Sequence, residues 1–103
     1  PMLVDFVETS SYWPNKGSWA ASVTFEVTYD NGGTATAIEG AMVSFSWSDG
    51  SVGMCTTDNS GQCTATLSGI SKKADSVIFT VDSVSASGYD YTGSDLVTVN
   101  RPE

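Results

Sequence analysis

Trp19-Ala20-Ala21-Ser22-Val23-Thr24-Phe25-Glu26-Val27-Thr28-Tyr29 decides the fold class. Trp19, Ala21, Val23, Phe25, Val27 and Tyr29 fall on one side of an extended chain, with Ala20, Ser22, Thr24, Glu26 and Thr28 on the other. That period of two belongs to a strand with one buried and one wetted face. Asp30-Asn31-Gly32-Gly33 ends it, because Asn-Gly and Gly-Gly accept the left-handed conformations of tight turns. The pattern returns in Ala41, Val43, Phe45 and Trp47, set against Met42, Ser44, Ser46 and Ser48 and followed by a turn at Asp49-Gly50. Val77, Phe79 and Val81 repeat it.

Outward from these runs the signals are weaker. Met2 to Val7 reads as a first strand interrupted by Asp5, and Thr34 to Gly40 as a loop or weak edge strand. Glu8 to Ser18 contains Pro14, Asn15 and Gly17 and reads as a loop carrying Tyr12 and Trp13. Ser68 to Asp75 is a polar connection. Beyond Ser87-Gly88, a last extended region carries Tyr89 and Tyr91 on one face, then Val97 and Val99.

Between Val52–Thr57 and Gln62–Leu67 lies Cys55-Thr56-Thr57-Asp58-Asn59-Ser60-Gly61-Gln62-Cys63. Asp58, Asn59 and Ser60 supply turn-making side chains, and Gly61 suits a type I turn followed by a glycine bulge. That geometry lets cysteines eight positions apart face each other, so a hairpin with a Cys55–Cys63 disulfide is expected. In the chain-entropy model so short a loop gains only about 2–3 kcal/mol from the cross-link. The alternatives are two free thiols, or a metal held by two cysteines in a chain without histidine.

The chain has 103 residues, which predicts a single domain over 1–103 with one core. Hydrophobic content of 40% against 16% charge marks it as folded. Twelve acidic and four basic residues give a net charge of −8, which disfavours nucleic acid and anionic membrane surfaces. No apolar run approaches the length of a membrane-spanning helix, and the chain is expected to be monomeric. Few Lys and Arg, abundant Ser, Thr and Gly, and a cystine predict an extracellular, secreted or cell-surface location. No stretch has helical periodicity. About seven strands with turn signals roughly every ten residues predict an all-β, antiparallel immunoglobulin-like or fibronectin III-like sandwich.

Val27-Thr28-Tyr29-Asp30-Asn31-Gly32-Gly33, Ile38-Glu39-Gly40-Ala41-Met42-Val43-Ser44-Phe45 and Thr56-Thr57-Asp58-Asn59-Ser60-Gly61 resemble bacterial immunoglobulin-like domains of the invasin and intimin type. The flanking cysteines, with Trp19, Trp47 and Val77-Ile78-Phe79-Thr80-Val81, are similar to related Ig-like modules appended to secreted bacterial enzymes. The resemblance runs from about Trp19 to Tyr91 and departs from the pattern at Thr34–Ala37 and Thr92–Glu103. It implies a non-catalytic accessory or spacer module, or an adhesin repeat, whose partners are adjacent domains of a larger bacterial protein. It carries over no catalytic residue and no cofactor.

The residues agree that the chain is not an enzyme. Without histidine there is no Ser-His-Asp triad or Cys-His pair. The carboxylate pairs Asp90 with Asp95 and Asp49 with Asp58 are the remaining route to catalysis. For calcium the weak candidates are Asp82, Asp90 and Asp95, near strand ends but outside any recognisable calcium loop. Polysaccharide binding is the sharper alternative, since sugar rings stack on exposed aromatics: the candidates are Tyr12, Trp13, Tyr89 and Tyr91, with Trp19 and Trp47 assigned to the core. Lys16, Lys72 and Lys73 lie in polar connections, badly placed for an isopeptide bond.

Overall fold

The alternation around Phe25 builds the longest strand of the protein. In the computed structural model, which describes residues 2–86, 88–89, 91 and 95–102, the elements are β1 (Met2–Tyr12), β2 (Ser18–Asn31), β3 (Thr34–Ala37), β4 (Met42–Trp47), β5 (Val52–Thr56), β6 (Gln62–Ser71), β7 (Ser76–Ser85) and β8 (Leu96–Asn100). All pairings between them are antiparallel. In one sheet β2 has β1 on one side and, on the other, first β6 and then β3; the second sheet runs β5-β4-β7-β8. Their inner faces meet as a sandwich of 47 × 21 × 18 Å. The strand beyond the expected seven is β3, the short edge piece at Thr34–Ala37.

The inward residues are those the alternation selects. Trp19, Ala21, Val23, Phe25 and Val27 are fully buried, as are Val43, Phe79 and Val81. Phe79 lies at the centre, with Phe6, Phe25, Phe45 and Trp47 around it at ring separations of 5.0–6.2 Å. Trp19 and Trp47 belong to this core, and the Trp19 indole N–H donates to Ser71 O at 3.1 Å.

Three boundaries differ from expectation. The stretch Glu8–Tyr12 continues β1, because a bulge at Val7 absorbs one residue and lets pairing with β2 run on to Tyr12 opposite Ala20. Strand β6 likewise passes Leu67 through an irregularity opposite Ala20, which turns Ile70 inward. Tyr89 and Tyr91 precede β8 instead of lying on it; Tyr89 forms an isolated bridge with Ala86.

The cystine turn has the expected form. Gly61 N–H donates to Asp58 O at 2.9 Å, Asp58 N–H to Gln62 O at 3.1 Å, and Gly61 takes φ 76°. Beyond that rung the strands part. Cys55 on β5 lies opposite Val43 and Cys63 on β6 opposite Phe25, so the Cys55–Cys63 disulfide, with Cα atoms 6.4 Å apart, joins one sheet to the other. Thr57, beside it, accepts from Ala41 N–H at 2.8 Å and donates to Ile38 O at 2.6 Å, holding the approach to β4.

Apart from the link between the short edge strand β3 and β4, successive connections alternate between the two ends of the sandwich. The β1–β2, β4–β5 and β6–β7 turns and the residues after β8 lie at one end. The start of β1, the β2–β3 and β5–β6 turns and the β7–β8 connection lie at the other.

Candidate functional site

The first end is organised by Asn15. Its side-chain oxygen accepts from Gly17 N–H and Ser18 N–H, each at 2.9 Å, and from the Ser18 hydroxyl at 3.1 Å. Such a side-chain-to-backbone turn folds residues 13–17 tightly and leaves Trp13 39% exposed. Trp13, Asn15 and Lys16 line an open hollow of about 430 Å³. Tyr12, 53% exposed, is the last residue of β1 beside it.

Two further segments join this loop. Lys72 N–H donates to Gly17 O at 3.3 Å, which sets the β6–β7 turn against the β1–β2 loop. The Arg101 guanidinium donates to Lys72 O at 2.8 Å and sits 3.3 Å from an Asp75 carboxylate oxygen. Lys16, Lys72, Lys73 and Arg101 are all the basic residues of the chain, and they share this end. Among the described acidic residues Asp75 and Asp49 are here with them, Asp49 lining a second hollow with Ser71 and Ala74.

The other end is aromatic and acidic. Tyr29 and Tyr89 pack with ring centroids 4.8 Å apart and planes tilted by 36°. Loss of hydration, then the neighbouring Tyr29 hydroxyl, raises the Tyr89 pKa. Tyr91 donates to an Asp95 carboxylate oxygen at 2.6 Å, and its hydroxyl accepts from Asp95 N–H at 3.1 Å. Desolvation, and then that carboxylate, pushes the Tyr91 phenol up to about 12.

No family model, no curated protein and no solved structure matches this chain. The site therefore rests on its own geometry.

That geometry divides the four candidate rings. Tyr12 pairs with Ala20 while Tyr29, which carries Tyr89, pairs with Met2. Nine residue steps of strand separate Ala20 from Tyr29, about 30 Å at the usual rise. Tyr12 and Trp13 form one group and Tyr89 stands with Tyr29 in another; no single platform spans them. Tyr91 is committed to Asp95.

The carboxylates are scattered in the same way. Asp49 and Asp58 occupy turns at opposite ends of β5 and cannot act as a pair. Asp82 is the exposed extra residue of a bulge in β7, and Asp95 O accepts from the adjacent Val81 N–H at 2.8 Å. Asp90 lies outside the described residues. Among the described residues no three His, Cys, Asp or Glu side chains group as a metal site.

The gathering of the four cations is what reading by residue type misses. Its signal is the parity of the turns: once a short edge strand such as β3 is discounted, the first and fifth connections and the chain after the seventh and last strand fall at one end of an antiparallel sandwich.

Proposed function

We propose that the chain is a non-catalytic Ig-like accessory or spacer module of a larger secreted or cell-surface protein. The observation that carries this reading is the course of the chain: β1 starts at one end of the 47 Å axis and β8 finishes at the other. A domain threaded in that way sets its neighbours apart by its own length. The space between the sheets is filled by the Phe79 cluster, and the chain has no histidine. A cystine joining the sheets suits an oxidising compartment.

The outer face of the β5-β4-β7-β8 sheet also supports it. That face exposes Met42, Val52, Met54, Ile78 and Leu96 with Asp82 as its one charged residue among those described, so it can pack against an adjacent domain. Replacing the module in its parent by an unrelated sandwich of equal length tests the reading. Retained function of the parent supports a spacer; function lost despite correct folding and export overturns it. Polysaccharide binding is the second reading, favoured by the exposed Trp13 ring beside Lys16.

A further inference from the structure

We infer that the Trp13 end is a recognition site for an anionic sugar chain, one bearing carboxylate or sulfate groups. The inference deepens the second reading, polysaccharide binding at Trp13, on which it rests, and does not depend on the spacer reading. In a chain of net charge −8, all four basic residues are brought to one end by three segments that touch one another: Lys16 on the β1–β2 loop, Lys72 and Lys73 on the β6–β7 turn, and Arg101 after β8. Among the described residues the only cation held by a carboxylate is Arg101, by Asp75. Lys16, Lys72 and Lys73 are exposed on two loops joined by a backbone hydrogen bond. Like charges so placed repel, and an anion between them would relieve the repulsion.

The exposed indole makes the anion a sugar. Trp13 lines the hollow with Lys16, offering a flat apolar ring next to a cation. A pyranose stacks its C–H face on such a ring while its acid group meets the ammonium. Asn15 spends its carbonyl oxygen on the loop, which leaves its amide N–H groups as donors for a sugar hydroxyl.

The net negative charge predicts an unusual salt response. At about 0.01 M salt the screening length is about 30 Å and the acidic remainder of the molecule repels a polyanion; at about 0.1 M it is about 10 Å and only the local patch acts; at about 1 M it is about 3 Å and the patch is screened too. Binding should peak at the middle value.

The test is affinity electrophoresis of the chain in polygalacturonate, dextran sulfate, neutral dextran and poly-L-glutamate at the three salt concentrations. Retardation by polygalacturonate assigns the carboxylate, and by dextran sulfate the sulfate. About tenfold weakening is expected in Trp13→Ala, with binding kept in Trp13→Phe, and about tenfold in the triple variant Lys16→Gln, Lys72→Gln, Lys73→Gln, with binding kept in the matching Arg triple. All of these side chains are exposed, and circular dichroism checks that each variant is folded. The proposal is overturned by no retardation in either anionic polysaccharide at about 0.1 M salt. Indifference to Trp13→Ala overturns it as well, as does equal retardation by poly-L-glutamate, which would make the end a dock for an acidic protein surface.

Discussion

Thr28 lies 97% out of solvent contact, by its 3% exposure, with its hydroxyl unpaired among the described residues. An orphaned buried hydroxyl forfeits its hydration for nothing, so Thr28→Val should raise stability by about 1 kcal/mol, read as a shift of the denaturant midpoint at constant slope. An unchanged or lower midpoint would mean the hydroxyl has a partner. Tyr91 gives a pH dependence. Its folded pKa of about 12 lies above the ordinary 10.0, so its contribution is complete below about pH 10 and fades as pH rises to 12, because the unfolded phenol ionises first. Tyr91→Phe should flatten the alkaline loss of stability across that window. Gly61 is a tightly constrained backbone position: φ is +76°, and an added Cβ would stand 2.8 Å from Val27 O and 2.9 Å from Ala37 Cβ. Gly61→Ala should therefore destabilise by about 2–4 kcal/mol in urea unfolding, more than the left-handed conformation alone would cost.

At the level of elements, Gly61 marks a change of partner along one edge of β2. Up to Glu26 the edge pairs with β6; Val27 N–H then donates to Gly61 O at 2.7 Å, Ile38 N–H donates to Val27 O at 3.0 Å, and from Thr28 the partner is β3. The turn tip fills the gap between two strands. Its type I turn with a glycine bulge was legible in Asp58-Asn59-Ser60-Gly61, and so was the pairing of the cysteines. That the flanking strands go to different sheets was not, because local turn chemistry says nothing about which partner each strand finds beyond the first rung. The inward faces of β2, β4 and β7 were legible because each alternates cleanly. The extension of β1 was hidden by its bulge at Val7, which breaks the period of two just where the polar Glu8–Tyr12 run begins. Trp13 was legible as a candidate, but its basic neighbours come from segments up to 88 positions away and are joined only by the turn parity. Replacing both Cys55 and Cys63 by Ala should lower stability by about 2–3 kcal/mol and leave a folded sandwich, since the closed loop is short and the core is independent of it. Loss of cooperative unfolding would instead make the sheet-to-sheet link essential to the fold.

For the molecule as a whole, the course of the chain governs how tension would pass through it. A pull on the two ends runs parallel to the strands, since β1 starts at one end and β8 finishes at the other. The β1–β2 ladder, ten residue pairs long, then meets the load broadside, with its rungs strained together and not opened one at a time. Force spectroscopy should show one high rupture per domain. Reduction of the cystine should lengthen the released chain by about 20 Å, because eight residue steps extend to about 28 Å in place of the 6.4 Å Cα separation. No such increment would mean the bridge is open in solution. The bridge thus acts as a length stop: the oxidised domain gives out less slack when it yields, and in the proposed spacer role it would hold a neighbouring domain closer under load.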